Sequence, residues 1–83
     1  MTEMQPKPEQ QQIWREVDPR FERYIRVESV RPGRCGVSCR TVVLSEGKWI
    51  DARRSRVSYC DPERFNGKRG GYEFHEQPLQ ATP

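Results

Sequence analysis

Turn-forming pairs cut this chain into pieces too short for most structures other than strands. Asp18-Pro19, Pro32-Gly33, Glu46-Gly47, Asp61-Pro62 and Asn66-Gly67 recur along it. Proline fixes φ near −65°, whereas glycine and asparagine accept positive φ, so each pair ends regular structure. Between the turns the residues alternate. In "ERYIRVES" (22–29), Ile25 and Val27 alternate with Arg26 and Glu28. Helical periodicity is nearly absent, while β-branched and aromatic residues are frequent.

The five strands expected on this pattern are 12–17, 22–29, 34–44, a return strand that Trp49 and Ile50 open and that alternates again over 53–59, and 71–76. Val30 breaks the parity of its segment, which marks a bulge or a strand end. "SEGK" (45–48) reads as a hairpin turn, and "DPERF" (61–65) as a Pro-initiated or single helical turn. On strand 34–44, Cys35, Val37, Cys39, Thr41 and Val43 share a face. On 53–59, Ser55, Val57 and Tyr59 are expected inside. The expected interior is Trp14, Ile25, Val27, Val37, Val43, Trp49, Val57, Tyr59, Tyr72 and Phe74. Five strands over so thin a core must curl, which suggests a small, partly open, five-stranded SH3-like barrel. An OB-like barrel is the alternative, but it would normally need a longer chain and a helix.

The 83 residues allow one small domain, with a mean hydropathy of −1.05. Residues 1–12 and 77–83 are rich in Pro, Gln and Thr, so they are expected to be flexible tails around a β domain at 13–76. No apolar run is long enough for a membrane helix, and the start lacks the pattern of a signal peptide. Three cysteines in no framework spacing read as reduced thiols, so a cytoplasmic location is expected.

Charge narrows the partner class. Twelve of the 15 cations are Arg, the side chain of bidentate phosphate recognition. Residues 52–69 carry six cations against Asp61 and Glu63, a net +4. Arg54 and Arg56 share a strand face in this reading, with Arg53 at its edge. "RFNGKRGGYEF" (64–74) adds Arg64, Lys68 and Arg69 among Gly67, Gly70 and Gly71. It lacks the spacing and the Ser/Thr of a P-loop. It is either a generic anion cradle or a tight turn kept soluble by its cations. Bound bases would need aromatic rings on the cationic face, with Tyr59, Tyr24 and Trp49 as candidates.

Catalytic and metal chemistry are not expected. Cys35, Cys39, Cys60 and His75 have the inventory of a zinc site. On one strand, however, Cys35 and Cys39 would lie ~13 Å apart, too far for a shared metal or a disulfide. A turn near Gly36 would reopen that possibility. There is one histidine and no nucleophile motif, so no enzyme, cofactor or small-molecule substrate is expected.

"IWREVDPRF", "RRSRVS" and "RFNGKRGGYEF" together resemble a family of short uncharacterised proteins of bacteriophages, prophages and bacteria. The shared order is W-x3-D-P-R, an R-x-V strand, an R-R-T-R-I-like strand, then R-F and G-Y. The resemblance spans roughly residues 13–74. Ser55 stands where Thr is usual, and Cys35 and Cys39 lie outside the pattern. The resemblance implies a compact β domain of phage or prophage origin, with no catalytic activity. The expected function is a non-enzymatic binding module for DNA or RNA. It would use Arg53, Arg54, Arg56, Arg64, Lys68, Arg69, Gly67 and Gly70. The alternative is a phage-encoded module that docks on a host protein.

Overall fold

The computed structural model describes residues 7–20 and 22–77. Six antiparallel strands form one sheet: β1 (Ile13–Glu16), β2 (Tyr24–Val30), β3 (Val37–Ser45), β4 (Lys48–Asp51), β5 (Val57–Cys60) and β6 (Tyr72–Glu76). The sheet order is β4-β3-β2-β1-β6, and β5 also pairs with β3. β2 pairs with β3 along most of its length, so β4 and β5 share the other edge of that strand. β4 takes its C-terminal half and β5 its N-terminal half.

One sheet of six strands replaces the expected five-stranded barrel. It stays open, because β4 reaches β6 through side chains: Trp49 Nε1 donates to Glu76 Oε1 at 2.8 Å. The alternation at 53–56 does not form a strand. Residues 52–56 are instead an excursion between the two short partners of β3.

Local turn chemistry sets the connections. Glu46 and Gly47 both take positive φ (51° and 78°), the geometry of a two-residue hairpin joining β3 to β4. Asp61 caps a 3-10 turn at Pro62–Arg64, its carboxylate accepting from Glu63 N at 3.0 Å. The β2–β3 register shifts between Val27 and Ser29, the irregularity that Val30 marks. Phe21 lies outside the described residues. So do most of the two terminal segments. Within 7–12, Gln11 N donates to Val27 O, and Val27 N donates to Gln12 O. The ladder therefore begins before β1.

One face of the sheet carries the core: Trp14, Ile25, Val27, Val37, Cys39, Cys60, Phe65 and Tyr72, with Phe74 packed against it. Trp14 meets Phe65 and Phe74 edge to face, with ring centres at 4.9 and 5.6 Å. Its indole N–H donates to the buried Gln12 Oε1 at 3.0 Å. Truncating so central a ring costs about 3–5 kcal/mol in comparable cores.

Four expected core residues lie elsewhere. Val43, Val57 and Tyr59 are exposed, and Trp49 is half-buried on the opposite face. For Val57 and Tyr59 the cause is register. Cys60 stands opposite the buried Val37 and enters the core, so Val57 and Tyr59, of the other parity, face out.

The outer face is covered in part by the β3–β4 hairpin, which folds across it. Tyr24, Trp49 and His75 form a ring cluster there, with centres 4.8–5.6 Å apart. Ile13 and Val42 are buried outside the main core cluster. Arg26 and Arg40 are direct cross-strand partners on this face, a repulsive pairing on its own. Glu28 and Asp51 offset it. Arg26 Nη2 lies 2.9 Å from Glu28 and 2.6 Å from Asp51, and Arg40 Nε lies 3.3 Å from Glu28.

Candidate functional site

The sheet and its flanking turns neutralise most of their own arginines. Arg15 pairs with Glu73, Arg20 with Asp18, and Arg23 with Glu16, alongside the Arg26–Arg40 network. Asp18 accepts from both the side chain and the backbone N–H of Arg20, and these bonds hold its carboxyl down at about 2. In the loops, Arg31, Arg34, Arg53, Arg54, Arg56, Lys68 and Arg69 have no carboxylate within ion-pair reach among the described residues.

Three of these cations sit in the 52–56 excursion, whose path is fixed by backbone bonds. Ala52 N donates to Thr41 O at 2.9 Å and Ser55 N to Ala52 O at 3.0 Å, while Arg40 Nη1 donates to Ser55 O at 3.3 Å. Arg54 takes a φ of 62°, the left-handed region that a non-glycine residue enters at some cost.

β5 runs on from this excursion with Tyr59 69% exposed, standing opposite Ser38. At the far end of β5, the β2–β3 loop brings Arg31 and Arg34, with Arg34 beside Asp61 and Glu63. The β5 edge therefore joins Arg53, Arg54 and Arg56 to an outward aromatic ring. That ring is the element sequence parity had placed inside. A simple signal pointed to the correct face: cysteine is buried more often than tyrosine, so Cys60 was the better guide to parity.

The second cationic segment is held elsewhere. Gly70 N donates to Val17 O and Val17 N to Gly71 O, which ties residues 70–71 to the end of β1. Its amides are already engaged: Gly67 N to Tyr72 O, Lys68 N to Asn66 Oδ1, and Gly71 N to Lys68 O. An anion cradle needs free N–H groups. Of the two readings of this segment, the engaged amides at Gly67, Gly70 and Gly71 favour the tight turn over the backbone cradle. Gly67 and Gly70 supply φ of 74° and 88°, and a Cβ at Gly71 would strike the carbonyl oxygen of Arg64. Arg64 is engaged too. It donates to Gly70 O at 3.1 Å and lies 5.0 Å from the centre of the Tyr72 ring, a cation–π distance. Lys68 and Arg69 remain as exposed cations at the tip.

β3 begins at Val37, not at residue 34, and Cys35 is exposed in the preceding turn with a φ of 55°. The geometric objection to a zinc site at Cys35 and Cys39 therefore falls. Even so, no group of three or more His, Cys, Asp or Glu among the described residues could hold a metal ion. An apolar groove of about 450 Å³ lies on the outer face between the hairpin and β2, lined by Tyr24, Val42, Leu44, Trp49 and His75, with Glu22 at its rim.

Compared with protein-family models, with curated proteins and with solved structures, the chain matches none. No helix among the described residues is long and apolar enough to cross a membrane.

Proposed function

We propose that the β5 edge binds single-stranded nucleic acid, in a non-enzymatic module of the SH3-like kind encoded by a phage or prophage. The observation that carries this reading is the exposed Tyr59 beside an excursion with three arginines that no carboxylate among the described residues neutralises. Single-stranded binding sites combine cations that follow the phosphates with aromatic faces on which bases stack, at about 1–3 kcal/mol per base. Arg53, Arg54 and Arg56 supply the first element and Tyr59 the second. Lys68 and Arg69 add attraction at longer range.

The test is a fluorescence-anisotropy titration of single-stranded DNA and RNA oligonucleotides at two salt concentrations. Binding should weaken steeply with salt. Tyr59→Ala should weaken it while leaving the salt slope unchanged. Absence of binding to either polymer at low salt would overturn the proposal.

A second reading rests on a different surface. Val43 and Ile50 stand opposite each other on the β3–β4 hairpin and are 45% and 47% exposed, an apolar pair that suits a protein partner. A pull-down from nuclease-treated host lysate separates the two readings. A partner that survives nuclease and is lost with Ile50→Asp favours protein docking.

A further inference from the structure

Two of the three cysteines meet in the core although 21 positions separate them. Cys39 Sγ lies 3.4 Å from Cys60 Sγ, across the diagonal of the β3–β5 pairing. A disulfide needs about 2.05 Å between the sulfurs, so closing this pair takes a small further approach by side chains already directed at each other. The surroundings distinguish the two thiols. Cys60 ends β5, an edge strand paired with β3 alone, and its sulfur lies 3.9 Å from the Tyr72 hydroxyl. The Arg64 guanidinium lies over the same Tyr72 ring. Cys39 sits deeper, on a strand paired on both sides. Contact with Cys39, then with Tyr72 and Arg64, favours the Cys60 thiolate against the cost of burial. Contact with Cys60 and burial keep the proton on Cys39.

We propose that Cys39 and Cys60 are a redox-active dithiol that a hydroperoxide converts to a disulfide stapling β5 to β3. The Cys60 sulfur attacks the peroxide O–O bond. The Cys60 thiol gives up its proton, an S–O bond forms, the O–O bond breaks, and the departing hydroxide (an alkoxide from an organic hydroperoxide) takes that proton to leave as water or an alcohol. Cys39 then attacks the Cys60 sulfenic acid. The S–S bond forms, the S–O bond breaks, and the second hydroxide leaves as water with the Cys39 proton. The two sulfurs together lose two electrons and the peroxide gains them. The short edge strand β5 gives a small oxidant its entry by fraying, since only one neighbour holds it. The product fixes the strand whose outer face shows Tyr59.

The experiment uses the full chain with Cys35→Ser, which removes the exposed thiol and leaves the buried pair intact. The folded protein is treated with stoichiometric hydrogen peroxide and examined by mass spectrometry. The expected result is loss of two hydrogens from the intact mass, with tryptic peptide 35–40 joined to 57–64. A reductant should restore the original mass. Three outcomes overturn the proposal: both thiols remaining free, sulfinic acid on either without the joined peptide, or the joined peptide forming only after unfolding in urea.

Discussion

Arg40 touches the excursion that carries Arg54, yet the two arginines have opposite surroundings. Arg40, with Arg26, faces Glu28 and Asp51 in a network across β2, β3 and β4. Arg54 and its companions Arg53 and Arg56 project from an excursion with no carboxylate in reach among the described residues. The contact between the two sets explains the division. Arg40 Nη1 donates to Ser55 O, so the neutralised arginine holds in place the loop that displays the unneutralised ones. A partly buried cation must be paired, whereas an exposed one can keep its charge for a partner. Arginine content alone therefore says little about binding. The informative quantity is how many arginines the fold leaves unmatched, and where.

The strongest way to break this contrast is to remove the unmatched set. Replacing Arg53, Arg54 and Arg56 together by Ala should lower single-stranded DNA affinity by about a hundredfold at low salt. The slope of log K against log salt should shrink by about 2 if three phosphate contacts are lost. The urea midpoint should not fall. An unchanged slope would remove these residues from the interface. The matched set should behave in the opposite way. Arg26→Ala leaves Glu28 and Asp51 with Arg40 alone, at 3.3 and 3.9 Å, and removes the two shorter contacts, so urea unfolding should show a loss of about 1–2 kcal/mol. Affinity of the folded fraction should stay as it was. If Arg26→Ala weakens binding without destabilising the protein, the two sets do not differ as described.

Much of the fold was legible because its determinants are local. Asp-Pro and Glu-Gly set turns within a few residues, the strand limits at β1, β2 and β6 fall within two residues of the alternating segments, and β4 opens one residue before Trp49. The 3-10 turn at Pro62–Arg64 follows from Asp61 and Pro62 in the same way. What stayed hidden depends on pairing between distant segments. The alternation of "RRSRVSY" suits a strand throughout, but β3 takes two short partners on one edge, and the residues between them leave the sheet. The outward face of Tyr59 is decided by Cys60 standing opposite Val37, which no local pattern encodes. The contact of Cys39 with Cys60 has no spacing signature for the same reason. The pairing of Arg26 with Asp51, 25 residues away, was equally invisible. So was the engagement of the Gly67, Gly70 and Gly71 amides, which reduced the cradle to a turn.

Backbone conformation sharpens the contrast at one position. Arg54 holds a φ of 62°, where glycine is at ease and an L side chain is strained. Arg54→Gly should raise the stability of the folded state by about 0.5 kcal/mol in urea unfolding, after the entropic cost of glycine is deducted. It should also reduce nucleic-acid affinity. A gain in stability with a loss in binding is the behaviour of a residue kept for a partner. A loss of stability would show that the arginine side chain supports the loop.

Acid titration separates the two populations most gently, because it removes carboxylates and leaves every guanidinium charged. Asp18, bonded to Arg20, has its carboxyl lowered to about 2 from an ordinary value of 3.8. A depressed folded value means that the pair's stabilisation is complete above the unfolded value. It is lost as pH falls from about 4 toward 2. Asp18 is exposed to solvent screening, so the effect should be small. Thermal melts between pH 5 and pH 2 should show a shallower decline for Asp18→Asn than for the parent chain. Among the described residues, the excursion arginines have no such carboxylate to lose. Substituting them should therefore leave the shape of that decline unchanged, and a change in its slope would mean that an acidic partner faces Arg53, Arg54 or Arg56.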